Sequence, residues 1–256
     1  MKKTITSILI FIGVISSSFG SDLTAHYDSL YQLGNSAYKN QKFDSALILY
    51  SSIANSGYES ADLYYNLGNT HYKLNHIPEA ILYFEKSMKL EPNSLDAKYN
   101  LELANKLIVD KIESLPVPFY SEWKNGLFGA FHFDIWGYIS IGFIVTSMLF
   151  LLAYLMTNKI ILKKISFYVF LVTLIGTGLT FYFAKAQRNT LVNSESAIVF
   201  ATRANVYAEP NTNGSTLFVI HSGLKVEIMN IESQWCNIVL PDGSIGWIPE
   251  EVLRKI

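Results

Sequence analysis

The sequence predicts a multidomain chain: an all-α helical-repeat solenoid, then a two-helix transmembrane hairpin, then a C-terminal all-β barrel. Three observations carry this. One segment rich in tyrosine, asparagine and glycine returns after 34 residues, two long runs lack any charged side chain, and residues 195–256 break into short alternating runs separated by turn residues. Half of the 256 residues are hydrophobic and only 16% are charged, more apolar than a wholly water-soluble chain, and the surplus lies in the two uncharged runs.

Tyr31-Gln32-Leu33-Gly34-Asn35 returns as Tyr65-Asn66-Leu67-Gly68-Asn69, and the same displacement of 34 superimposes Tyr38 on Tyr72, Lys39 on Lys73, Ala46 on Ala80 and Tyr50 on Phe84. A period of this length belongs to stacked helix pairs. The Leu-Gly pair is expected to let the second helix of each pair come close. Ala46 and Ala80 are expected at the helix crossing, with Tyr50 and Phe84 filling the seam to the neighbouring pair. Pro92 closes the second copy. A partial third copy, Leu95 to Leu101 with Glu102 where glycine would be, reads as a lone capping helix over 95–109, since an open solenoid end needs a cover with a polar outer face. These residues resemble the tetratricopeptide repeat, with copies at 27–60 and 61–94 inside a region spanning 21–110. The resemblance implies a curved surface that holds another protein.

In that family the first helix of each pair lines the concave face. The matching positions are Tyr31, Asn35 and Tyr38 in the first copy and Tyr65, Asn66, Asn69 and Tyr72 in the second. Amide and phenol groups on a concave aromatic surface suit an extended peptide. A merely solvated polar face is the other reading. Asn35 and Asn66 match the asparagines of carboxylate-clamp repeats, but Tyr31 stands where the clamp's first lysine would be, and Asp96 and Asn100 where its later basic residues would be. A chain-terminal acidic peptide is therefore disfavoured, and an internal or loop segment of a partner membrane protein is expected.

Lys2 and Lys3, then the apolar run Ile5 to Ile15, then Ser16 to Gly20, follow the order of a secretory signal over 1–20; an uncleaved anchor would leave the same topology. The uncharged runs predict transmembrane helices at 134–157 and 165–185, each long enough to cross about 30 Å of hydrocarbon at about 1.5 Å per residue. The loop between them, 158–164, carries Lys159, Lys163 and Lys164, and lysine-rich short loops stay in the cytoplasm. Both water-facing regions are then expected outside, in the periplasm of a bacterial inner membrane. Intervening spans also predict that repeats and barrel unfold independently.

Between repeats and hairpin lies an aromatic linker, 111–133, in which Pro116 and Pro118 break the last helix and Phe119, Tyr120, Trp123, Phe128, Phe131 and Phe133 suit the headgroup region. A short interfacial helix is expected there, with a hydrophobic partner contact as the alternative.

Beyond the second span, Ala197–Phe200, Ala204–Tyr207, Thr216–Ile220, Lys225–Met229, Trp235–Leu240 and Ser244–Ile248 read as short strands of a small barrel. The order Asn205, Val206, Pro210, Gly223, Trp235, Asp242, Gly243, Gly246, Trp247 and Leu253 resembles the bacterial SH3 domain, over 195–256. Tyr207 replaces an arginine frequent in that family, which puts any contact made by that arginine in doubt. Tyr207, Trp235 and Trp247 are the candidate groove residues. The two tryptophans either stack on a peptide or glycan or complete a small core that needs large aromatics. The single cysteine, Cys236, alternates with Ile238 and Leu240 and reads as a core residue, since no second thiol exists for a disulfide.

A net charge of −1 without a basic stripe excludes nucleic acid. The histidines His26, His71, His76, His132 and His221 are scattered, with no ligand spacing, no Cys-x-x-Cys and no phosphate loop. The chain reads as non-enzymatic, with no cofactor and no metal, in contact with membrane lipid. The full order of segments resembles the E component family of the Bat (Bacteroides aerotolerance) operon. The resemblance implies a scaffold among partner membrane proteins that carry von Willebrand A domains. The barrel leaves peptidoglycan or a wall peptide open as a second target.

Overall fold

The computed structural model describes residues 25–113, 115, 131, 133–193 and 195–256. The expected signal segment and nearly all of the aromatic linker lie outside the described residues.

Residues 25–39 form helix α1, followed by α2 (Phe43–Asn55), α3 (Ala61–Lys73), α4 (Ile77–Leu90) and α5 (Leu95–Asn105). The turn within each pair uses one device twice. Gln41 and Asn75 take left-handed backbone, φ 58° and 63°. Beside them the Lys42 N–H donates to the Ala37 carbonyl as the His76 N–H donates to that of His71, each at 2.9 Å. One left-handed residue reverses the chain without a long loop. Ser60 and Ser94 cap α3 and α5 by accepting from the Leu63 and Ala97 N–H groups at 3.1 and 3.4 Å. Pro78 occupies the first turn of α4, where its missing donor is not needed.

The repeated glycine has a steric cause. A Cβ on Gly34 would lie 2.6 Å from the Tyr50 ring, and one on Gly68 would lie 2.6 Å from that of Phe84. Each aromatic therefore lies on the glycine of its own pair. Tyr50 also shares a buried cluster with Leu63 and Leu67 of the next pair, while Ala46 and Ala80 are fully buried at the crossings.

Helices α6 (Phe133–Met156) and α7 (Ile160–Asn193) are antiparallel neighbours joined by residues 157–159. Both are long and apolar enough to cross a membrane, and only 11% of each window is buried. A soluble core helix of such hydropathy would be enclosed. These instead expose Ile141, Ile144, Met148 and Leu152 on α6 and Val172, Ile175 and Leu179 on α7, consistent with a membrane protein. Ser140 and Ser147 face Ser166, Thr173 and Thr180 as the buried polar residues of the pair. Their seven-residue spacing is that of a shallow-angle helix seam, where small side chains let the helices approach. Thr173 and Thr180 donate to carbonyls four residues back, each at 2.8 Å, so their hydroxyls are satisfied within their own helix. At the open end, Trp136 packs edge-on against Phe131 and Phe183.

Seven strands complete the chain: β1 (Ser196–Val199), β2 (Arg203–Tyr207), β3 (Thr216–His221), β4 (Lys225–Glu232), β5 (Trp235–Val239), β6 (Ile245–Pro249) and β7 (Leu253–Lys255). They form one antiparallel sheet in the order β3-β2-β6-β5-β4-β1-β7, bulged near Val206 and Met229. Strand β7 is additional to the six read from the sequence, since three residues carry no legible alternation. Its inner face packs Val206, Ile220, Val226, Cys236, Ile238, Ile248 and Leu253. Cys236 is wholly buried and burial, followed by the nearby Glu250 charge, pushes its thiol up, leaving it protonated and inert.

Repeats and barrel are not separate units, which corrects the expectation drawn from the intervening spans. Ile198 of β1 is fully buried among Ala80, Ile81 and Phe84 of α4 and Leu101 and Ala104 of α5, with Phe200 and Ile256 at the rim. Glu85 pairs with Lys225 at 2.7 Å, and Lys89 donates to the Ile256 carbonyl at 2.9 Å. Beyond α5 the chain runs along the barrel. The Asp110 carboxylate accepts the His221 backbone N–H and meets the ring Nδ1 at 2.9 Å, Ile112 packs on the barrel core, and the Leu115 N–H donates to the Pro241 carbonyl at 3.0 Å. Gly223 is needed twice over: its φ is +91°, and a Cβ there would lie 2.5 Å from Ile108. The hairpin returns the chain to the side it left, so the two water-facing regions meet.

Candidate partner-binding site

The repeated asparagine builds a ladder between first helices. Asn66 Nδ2 donates to the Tyr31 hydroxyl at 2.8 Å and to Asn35 Oδ1 at 3.2 Å. One repeat later, Asn100 Nδ2 donates to the Tyr65 hydroxyl at 3.1 Å and to Asn69 Oδ1 at 2.8 Å. Asn35 Oδ1 also accepts from the Tyr50 hydroxyl at 2.7 Å, a bond with no second copy because Phe84 lacks the oxygen. Tyr31, Asn35 and Asn66 thus hold successive repeats in register. Asn100, set aside in the sequence as a departure from clamp repeats, is the second rung.

Tyr38 and Tyr72, with Tyr65 and Asn69 of the second rung, line a cleft of about 420 Å³, together with Lys73, Asn100 and Leu103. Tyr38 is braced edge-on by Phe43 at 5.3 Å, and Tyr65 packs at a tilt on Phe84 at 6.1 Å. Burial, then proximity to Tyr65, raises the Tyr38 phenol above its ordinary range; burial, then the Asp62 charge, does the same for Tyr31. Both therefore remain neutral donors. The cleft offers phenols, amides, one ammonium and no carboxylate, chemistry matched to peptide carbonyls and to an acidic or polar side chain. Lys73 and Leu103 escaped the sequence reading, although Lys73 sits at a repeated position beside Tyr72.

Behind this face, His71 is buried at the end of α3, stacked on Tyr83 at 5.3 Å, with its Nδ1 3.4 Å from that of His76. Burial drives its pKa down to about 4, with Glu79 opposing and His76 assisting. It is held neutral as a core group. Among the described residues no three His, Cys, Asp or Glu side chains gather as metal ligands.

A second cleft, about 910 Å³, lies on the barrel between Trp235, Pro210, Pro249, Ile228 and Arg254. Tyr207 packs edge-on against Trp235 at 5.6 Å and pairs in register with Trp247. Both tryptophans are half-buried on the outer face, alternating with buried Cys236 and Ile248, and neither belongs to the buried core. Of the three candidate residues, Trp235 lines the cleft, Tyr207 buttresses it and Trp247 lies alongside. The charged rim is partly self-paired: Lys255 meets Glu250 at 3.4 Å, and Arg254 covers Phe200 and donates to the Glu251 and Leu253 carbonyls.

With this geometry in place, comparison with known families is specific for two segments. The tetratricopeptide repeat family model matches residues 61–94 and the bacterial SH3 domain family model matches residues 201–255. Each covers less than half of the chain, and the first repeat lies outside the match. Both families are non-catalytic binding modules. No curated protein matches the chain.

Proposed function

We propose that the protein is a non-enzymatic inner-membrane scaffold whose repeats bind a loop or internal segment of partner membrane proteins, within an aerotolerance-type complex of the Bat kind. The observation that supports this reading is the seam between barrel and repeats, which joins the repeat cleft and the barrel cleft in one body. Such a body holds two partners at a set spacing, which is what a scaffold requires. Lys159, Lys163 and Lys164 at the hairpin tip support a cytoplasmic loop and periplasmic domains. The von Willebrand A-domain proteins of such an operon are the proposed partners of the repeat cleft.

A second reading rests on the barrel cleft, whose Trp235 ring and proline walls suit a wall peptide or the sugar faces of peptidoglycan. The two readings separate in the full chain. Tyr72→Ala together with Asn69→Ala is expected to abolish co-purification of von Willebrand A-domain membrane proteins from detergent extracts, with helical ellipticity retained. Trp235→Ala is expected to abolish sedimentation with purified peptidoglycan sacculi if the barrel is the wall-binding element. Undiminished capture by the folded double variant would reject the repeat cleft as the docking site.

A further inference from the structure

We infer that the closed end of the hairpin binds the phosphate headgroup of an anionic phospholipid, between Tyr154 of α6 and Lys163, Lys164 and Tyr168 of α7. These side chains, with Ile160 and Phe167, line a cleft of about 430 Å³. Its charge is uncompensated within the hairpin. From Ile135 to Ser194 the sequence holds no aspartate or glutamate, and none of the ion pairs found among the described residues includes Lys159, Lys163 or Lys164. The Lys163 ammonium lies 5.1 Å from the Tyr154 ring centroid. A neutral ring positions a cation without neutralising it, so the site still calls for an anion.

Depth and shape select the anion. Lys163 and Lys164 lie within two turns of the connecting residues 157–159, hence within about 8 Å of the membrane surface at about 1.5 Å per residue, the level of lipid phosphates. Ile160 is 71% exposed and Phe167 43%, an apolar flank that a soluble phosphate leaves bare and the glycerol and upper acyl chain of a lipid cover. Basic pockets between spanning helices serve such headgroups in general. The inference rests on the hairpin lying in a bilayer and is independent of either binding cleft.

Native mass spectrometry of the full chain in detergent, with equimolar phosphatidylglycerol and phosphatidylcholine, reads this site. Phosphatidylglycerol adducts are expected in at least about fivefold excess, the factor of about 1 kcal/mol that each engaged ammonium group contributes. The double variant Lys163→Gln, Lys164→Gln is expected to bring the ratio to about one, while Lys185→Gln, beyond the cleft, keeps it; circular dichroism checks that each is helical. An equal ratio in the unmodified chain, or an excess that survives the double variant, overturns the site. Displacement of the lipid by an equal concentration of glycerol 3-phosphate would also overturn it, assigning the pocket to a soluble phosphate ester.

Discussion

The Glu85 carboxylate of the second repeat and the Lys225 ammonium of the barrel, 140 residues apart, meet at 2.7 Å across the edge of an apolar seam. With the Lys225 side chain 44% exposed, the pair itself contributes little, ~0 to 1 kcal/mol. The seam beneath it is the stronger element, because Ile198 is fully buried against the repeat helices.

Ile198→Ala is therefore expected to destabilise repeats and barrel together, by about 2 to 4 kcal/mol. Thermal unfolding of the full chain in detergent, followed by the helical signal and by tryptophan fluorescence, checks this: both transitions move down. Repeats that still melt at the original temperature would show that the seam does not support them.

Gly68→Ala places a methyl group 2.6 Å from the ring of Phe84, which is fully buried and has nowhere to retreat. Overpacking of this kind costs about 1 to 3 kcal/mol. Gly178→Ala, with open space around it, is expected to be neutral. The contrast in denaturation midpoints separates steric cause from helix propensity, which alone would favour alanine at both sites.

His71 makes the repeats acid-sensitive. Its folded pKa is lowered to about 4 by burial, so the unfolded chain binds the proton first. Stability is fully present above about pH 6.5 and is lost as pH falls from there towards 4, by an amount on the order of 2 to 3 kcal/mol. Urea midpoints at pH 7 and pH 4.5 are expected to differ less in His71→Gln than in the parent chain. Equal pH slopes in the two would remove His71 as the cause.

Topology is open to thiol labelling, since the native Cys236 is buried and its thiol is pushed up. A cysteine replacing exposed Asn158 is expected to resist a membrane-impermeant maleimide in intact cells, whereas one replacing exposed Asn213 reacts. Reversed labelling would place the domains in the cytoplasm.

The outline of the fold was legible because its signals are local. A 34-residue displacement marks stacked helix pairs, uncharged runs mark membrane-length helices, and alternation with turn residues marks strands. The glycine's part in close helix approach was legible too, but its partner was not: Tyr50 and Phe84, expected in the seam to the neighbouring pair, lie on Gly34 and Gly68 of their own pairs. The candidate groove was legible only as a list of polar first-helix positions. Bonding and position divide that list: Tyr31, Asn35 and Asn66 form the first rung, Tyr65 and Asn69 both join the second rung through Asn100 and line the cleft, and Tyr38 and Tyr72 line the cleft alone. The tryptophans show the same limit: alternation put Cys236 on the inner face and so Trp235 opposite it, but nothing in the alternation says that the outer face carries a cleft.

By itself, then, the sequence determined the kinds of element and their order, since periodicity and hydropathy are properties of neighbouring residues. Only the tertiary structure decided that β1 closes the repeat core through Ile198, and that Asp110 meets His221 and Glu85 meets Lys225. Asp110 and His221, like Glu85 and Lys225, lie more than a hundred residues apart on either side of a hairpin. No local pattern records a contact that exists only because two membrane helices return the chain to the side from which it came.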